Sequence, residues 1–226
     1  MRQFDTFFAR AARRVATALF ALACVAGMPQ GAQADPLVIA AFGDSLSAGY
    51  RLPPEDAFPA RLETALKARG HDVKVLNASV SGDTTTAGLA RLDWSLGEEV
   101  DAAIVELGAN DALRGLPVDT TRDNLEAIVR RLRERGITVL LAGMKAPRNM
   151  GEEYADAFDA IYPDLARSED VLLYPYFLEG IPVSPETVMA DGMHPTAAGV
   201  ELIVEGILPS VEKLISRSGE DRAPRG

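Results

Sequence analysis

The chemistry available to this chain is set by one serine and one histidine. Ser45 lies in Gly43-Asp44-Ser45-Leu46-Ser47-Ala48-Gly49-Tyr50, and the chain has only two histidines, His71 and His194. A serine hydroxyl is a weak nucleophile until a neighbouring base takes its proton. An imidazole base in turn needs an acceptor that fixes its tautomer and stabilises the imidazolium. The stretch Asp191-Gly192-Met193-His194-Pro195 offers one. A carboxylate three residues ahead of a histidine on a tight turn can reach Nδ1 while Nε2 faces outward. Such a set would perform acyl transfer, which also requires donors for a developing oxyanion. The backbone N–H groups of Ser45 and Gly82, with the side-chain amide of Asn110, would supply three. A side chain at position 82 would obstruct close approach of the backbone to a substrate. At position 110 an amide is a neutral donor, where an aspartate would repel the oxyanion. Taken singly, each of these stretches is also ordinary turn chemistry, because Gly, Asp and Ser favour turns. Ser47, Ser79 and Ser81 are rival hydroxyls, and Asp44 and Asp111 read as turn-stabilising acids.

The elements around these residues decide whether they can meet. Residues 37–42, Leu-Val-Ile-Ala-Ala-Phe, form an unbroken apolar run of strand length just before the serine turn. Runs of this kind suit strands covered on both faces, as in a parallel sheet. Further strands are expected over 73–78, 102–107, 138–142 and 171–176. Helices are expected from Pro53 to Arg69, with Gly70 as its stop, and over 85–96, 119–135, 152–166 and 196–216. Strands alternating with helices give a parallel sheet with right-handed crossovers and helices on both faces. The fold class is therefore α/β, a single three-layer α/β/α domain on a five-stranded parallel sheet. On that topology the turns carrying Ser45, Gly82 and Asn110 leave strands one, two and three on one rim, where open α/β sheets bind ligands. His71 precedes strand two and belongs to the opposite rim, as a solvated surface residue.

Composition narrows the partners. The chain has 226 residues, 47% hydrophobic and 25% charged, with a formal net charge of −10. No lysine- or arginine-rich face stands out beyond the first residues, which disfavours nucleic acid. Residues 1–34 read as a secretory signal: Arg2, Arg10, Arg13 and Arg14 precede a short apolar stretch, and Ala32-Gln33-Ala34 offers a cleavage site before Asp35. An uncleaved anchor, or a lipid on Cys24, the single cysteine, are the alternatives. Cleavage removes four arginines and one aspartate, so −10 becomes −13, and leaves no cysteine. The expected product is a periplasmic or secreted monomer without stable membrane insertion. Its domain spans 35–216 and a polar, frayed tail covers 217–226.

The stretches GDSLSAGY, SGDTTTAG, ELGAND and DGMHP resemble, in order and spacing, the four sequence blocks of the SGNH (GDSL) hydrolases. The resemblance is nearest to the bacterial arylesterase, thioesterase I and lysophospholipase group. It implies a flavodoxin-like fold and a serine esterase working through an acyl-enzyme, with Ser45 as nucleophile, His194 as general base and Asp191 orienting the base. It also implies an oxyanion hole of Ser45, Gly82 and Asn110. No cofactor is expected, and no metal, because the potential ligands form no cluster apart from Ser45, Asp191 and His194. Like that family, the chain lacks a Gly-x-Ser-x-Gly elbow at its serine, which separates it from ordinary α/β-hydrolases.

Substrate choice is expected to rest on loops leaving the same rim. They supply Leu113, Leu116, Met144 and Ile181, which suit an aryl or short-to-medium acyl ester. Acyl-CoA thioesters, lysophospholipids and acetylated carbohydrates would use the same machinery. A nucleotide-binding module would share the sheet, but neither common phosphate-loop pattern is present. A silent binding protein would have lost one of the three residues, and all are kept.

Overall fold

In the computed structural model, residues 35–221 are described; the expected leader, its cleavage site and Cys24 lie outside them. Five strands form one sheet: β1 (Leu37–Gly43), β2 (Val73–Asn77), β3 (Ala102–Glu106), β4 (Thr138–Ala142) and β5 (Leu172–Tyr174). Their order is β2-β1-β3-β4-β5 and every pairing is parallel. The sequence reading expected this architecture. β1, β3 and nearly all of β4 are buried along their length, as the continuous apolar runs require of strands covered on both faces. Strand order reverses between β1 and β3, and the crevice at such a switch point is where open α/β sheets take ligands.

The helices are α1 (Ser45–Ala48), α2 (Phe58–Ala68), α3 (Thr85–Ser95), α4 (Ala109–Leu113), α5 (Val118–Glu134), α6 (Glu152–Asp159), α7 (Ile161–Ser168) and α8 (Ala197–Asp221). α2 and α8 pack together on one side of the sheet, and α3, α5 and α7 form the other layer. Phe58, Leu62 and Leu66 recur at helical spacing on α2 and are fully buried. Truncating Leu66 to alanine is expected to cost about 2–5 kcal/mol while leaving the rim turns untouched.

Departures from the sequence reading have local causes. The first expected helix is split into a 3₁₀ turn over Pro54–Asp56 and α2, with Ala57 extended between them. Pro59 cannot donate to a carbonyl four residues back and would clash with it, so the helix restarts with the proline in its first turn. Pro163 has the same effect between α6 and α7, where one helix was expected. β5 stops at Tyr174 because Pro175 has no N–H for the ladder. Of the expected frayed tail, residues 217–221 continue α8, which reaches Asp221, and residues 222–226 lie outside the described residues. Ser218 is buried with its hydroxyl 3.4 Å from the Asp101 carbonyl, and Arg217 pairs with Asp170 at 2.8 Å. A polar composition does not reveal these two anchors.

Candidate active site

β1 ends at Gly43, Asp44 caps the next turn, and Ser45 opens α1. The Asp44 carboxylate accepts the Leu46 N–H at 3.0 Å, so a side-chain cap fixes the turn presenting the serine. On the far side of the sheet's carboxyl rim, Asp191 Oδ1 accepts the N–H groups of Met193 (3.0 Å) and His194 (3.1 Å). This local turn leaves Oδ2 2.9 Å from His194 Nδ1. His194 Nε2 lies 2.9 Å from Ser45 Oγ, across 149 residues of sequence. The three residues singled out by type and spacing therefore meet in one hydrogen-bonded line. Asp191 is held down to about 2, chiefly by the two backbone N–H groups and then by the imidazole, so it is ionised at neutral pH.

Asn110 sits in the first turn of α4, directly after β3. Its Nδ2 donates to Asp44 Oδ2 at 3.0 Å and to the Asp83 carbonyl at 2.9 Å, which joins the exits of β1, β2 and β3. Gly82 has φ of +88°, a backbone state that by itself favours glycine; an added Cβ would meet no protein atom within 4 Å. The amides of Ser45 and Gly82 donate to no partner among the described residues. Two of the rival hydroxyls are engaged elsewhere: Ser47 Oγ donates to Glu106 at 2.8 Å and Ser79 Oγ to the Ala41 carbonyl at 2.9 Å. Asp111, expected as a turn acid, is fully buried and accepts from Thr85 and Thr121, stitching α4 to α3 and α5. His71 lies on the opposite rim, 3.5 Å from Glu212.

Several site residues went unnoticed in the sequence. Glu106 ends β3 fully buried, where Oε2 accepts from Ser47 and from the Asp44 N–H (3.3 Å). The register places it beside Gly43, where a Cβ would come within 2.6 Å of Oε2. Burial, then the charge of Asp44, pushes Glu106 well above the ordinary carboxylate range. Its Oε1 finds no partner among the described residues. Burial likewise raises Asp44, to about 6. A charge inside an otherwise apolar strand, Ala-Ala-Ile-Val-Glu-Leu, is the signal that marks Glu106. Tyr50 packs its ring 4.3 Å from that of His194, tilted by 35°, and Arg51 covers Tyr50 at 4.9 Å. Nothing in the sequence distinguishes that tyrosine.

A groove of about 660 Å³ opens beside Ser45, Asn110 and His194. Of the expected wall residues, Leu113, Met144 and Ile181 line it, joined by Tyr176, Leu178 and Met193. Leu116 does not line it. Its N–H returns to the Asp111 carbonyl at 3.0 Å and its carbonyl accepts from Tyr154 at 2.9 Å, which ties the turn away from the groove. Among the described residues no three His, Cys, Asp or Glu side chains cluster closely enough to hold a metal ion.

A profile of the GDSL-like Lipase/Acylhydrolase family matches residues 41–202, which span all four blocks. The chain belongs to this family. Among individual relatives, an arylesterase of Vibrio mimicus is 42% identical over 172 residues, covering 76% of this chain and 86% of the relative. The thioesterase 1/protease 1/lysophospholipase L1 of Escherichia coli strain K12 is 38% identical over 188 residues, covering 83% and 88%. Among solved structures, AlinE4, an SGNH-hydrolase family esterase, superposes with a TM-score of 0.68 at 46% identity, covering 80% of this chain and 98% of that one. This family member is an ester hydrolase, as its four blocks led one to expect, and the nucleotide-binding reading falls away.

Proposed function

We propose that the chain hydrolyses small carboxylic esters by acyl transfer to Ser45. The observation that carries this is the line Asp191 Oδ2, His194 Nδ1, His194 Nε2, Ser45 Oγ, with 2.9 Å at each of its two hydrogen bonds. Ser45 Oγ attacks the carbonyl carbon while its proton passes to His194 Nε2, and Asp191 stabilises the imidazolium. The oxyanion takes hydrogen bonds from the amides of Ser45 and Gly82, which have no partner among the described residues, and from Asn110 Nδ2. Both Asn110 hydrogens are already given to Asp44 and Asp83, so the oxyanion shares one of them in a three-centre bond. Collapse of the intermediate breaks the ester C–O bond, and the leaving oxygen collects the proton from His194. Water then repeats the cycle on the acyl-enzyme. Labelling with a serine-directed fluorophosphonate tests the assignment. The native chain is expected to be labelled and Ser45→Ala to stay unlabelled; labelling of both would move the nucleophile elsewhere.

The groove's lining favours aryl and short-to-medium acyl esters, with Leu113, Met144 and Ile181 against the acyl group. A buried methylene is worth about 1–3 kcal/mol in such a pocket, so chain-length preference is graded. p-Nitrophenyl esters from acetate to palmitate, assayed on the native enzyme and Leu113→Ala, check this. Leu116→Ala is expected to keep the native profile. A higher kcat/KM on acyl-CoA or lysophospholipid would shift the substrate toward the activities named for the Escherichia coli relative, and one on acetylated sugar would remove the acyl-chain reading. Residues 1–34 act, on this proposal, as a secretory signal cut before Asp35, which places the enzyme in the periplasm or outside the cell. Among the described residues no helix is long and apolar enough to cross a membrane. A mature N-terminus other than Asp35 would overturn that cleavage site.

A further inference from the structure

Arg91, on α3, is almost fully buried and does not border the groove, yet its guanidinium reaches the backbone of two rim turns. Nη2 donates to the Gly43 carbonyl at 3.1 Å, at the exit of β1, and Nη1 to the Ala78 carbonyl at 2.6 Å, at the exit of β2. Nε donates to the Asp83 carboxylate, the residue after Gly82. The remaining Nη1 hydrogen goes to Ser95 at 3.1 Å, and the cation rests on the face of Phe42, 4.1 Å from its centroid. A planar fork of fixed geometry is thus bonded to the peptide two residues before Ser45 and to the side chain next to Gly82. The Gly43 carbonyl also accepts the Val80 N–H at 3.0 Å, so β1 and the Gly82 turn are cross-linked twice. The Asp83 carbonyl receives Asn110, which carries the same constraint to the third donor.

We infer that Arg91 is a positioning residue for the oxyanion hole, setting the separation of the Ser45 and Gly82 amides by binding the chain segments that carry them. The inference rests on Ser45 being the nucleophile. An ion pair with Asp83 alone could be met by a lysine. The carbonyls of Gly43 and Ala78 require a donor fork that reaches three places at once. The effect is on the transition state, because donors aimed at the ester oxygen matter most once charge has developed on it.

The test compares Arg91→Met, Arg91→Lys and Asp83→Asn with Leu66→Ala, a core truncation far from the rim chosen to match the loss of melting temperature. Two rates are read for each. One is kcat and KM on p-nitrophenyl butyrate. The other is inactivation by diethyl p-nitrophenyl phosphate, in which the Ser45 Oγ–P bond forms, p-nitrophenolate leaves and the hydroxyl proton passes to His194. Removal of one oxyanion donor costs about 10²–10³ in kcat, so Arg91→Met is expected to lose about 10- to 100-fold in kcat and in inactivation rate together, with KM within about threefold. Arg91→Lys and Asp83→Asn lose less, in the same direction, and decide the matter if the methionine variant does not fold. Leu66→Ala keeps both rates. The inference is overturned if a folded Arg91 or Asp83 variant melts as low as Leu66→Ala yet keeps both rates within about twofold. It is overturned equally if KM rises and kcat holds. Turnover by Ser45→Ala would strike the nucleophile assignment instead, whatever the arginine does.

Discussion

His194 and His71 each meet a carboxylate, on opposite rims of one sheet. Asp191 devotes one oxygen to two backbone N–H groups and the other to the imidazole alone, at 2.9 Å. Glu212 presents a single oxygen to both Arg69, at 3.1 Å, and His71, at 3.5 Å. The acceptor of His194 is therefore fixed by its own turn, whereas that of His71 is already satisfied by a permanent cation. Beyond His194 lies a serine hydroxyl; the second nitrogen of His71 meets no hydroxyl among the described residues. A histidine beside an acid is common. What makes one pair useful for proton transfer is an acceptor with no competing cation and a nucleophile on the other nitrogen.

The largest test of this contrast removes the groups themselves. Ser45→Ala and His194→Ala are each expected to lower kcat by at least about 10³-fold with the fold intact, while His71→Ala stays within about twofold. Either of the first two keeping a tenth of native kcat breaks the contrast, and so does a substantial loss in His71→Ala without unfolding. The carboxylates come next. Asp191→Asn can hold the wrong imidazole tautomer and is expected to lose about 10²–10⁴ in kcat. Glu212→Gln is expected to leave kcat unchanged. A similar loss in both, at constant melting temperature, would mean that the opposite rim feeds the site.

A smaller effect belongs to the ring behind His194. Tyr50 packs on that imidazole, and no aromatic ring packs on His71 among the described residues. An aromatic pair contributes about 0.5–1.5 kcal/mol beyond its buried area, so Tyr50→Leu should lower kcat by roughly 2- to 12-fold and Tyr50→Phe hardly at all. Equal losses in the two variants would assign the effect to the phenolic hydroxyl.

What was readable in the sequence follows from the range of each interaction. The apolar runs before Ser45 and Asn110 specify strands locally, and the parallel topology then brings their exits to one rim. Asp191 and His194 lie three residues apart, so their pairing is a property of one turn. The short helices α1 and α4 span too few residues to show a period and read as plain turns. Arg91 and Glu106 were missed for a different reason. The Gly43 carbonyl that Arg91 reaches and the Ser47 hydroxyl that Glu106 accepts stand 48 and 59 residues away, and only the assembled sheet reveals that these charges are buried. An arginine on a helix otherwise reads as a solvated face. Leu116 was misjudged because it shares a stretch with Leu113, and only hydrogen bonds to Asp111 and Tyr154 separate them.

The smallest expected effect separates the two carboxylates by what lowers them. Asp191 stands at about 2, against 3.8 for an ordinary aspartate, with the backbone N–H groups of His194 and Met193 as the leading causes and the imidazole third. Glu212 is also lowered, but chiefly by the Arg69 side chain. A carboxylate lowered by folding contributes stability that is full above its unfolded value and lost as pH falls through the folded one. For Asp191 that window runs from about 4 down to about 2. His194→Ala keeps both backbone donors, so its Asp191 carboxyl should still titrate below 3.8, shifted by less than the full native displacement. In Arg69→Ala, by contrast, Glu212 should return most of the way to the ordinary glutamate range. Following both carboxyl carbons by NMR through an acid titration distinguishes the cases. If Asp191 reverts to an ordinary aspartate once the imidazole is gone, the turn does not pre-form the acceptor, and the two rims differ only in which cation happens to be near.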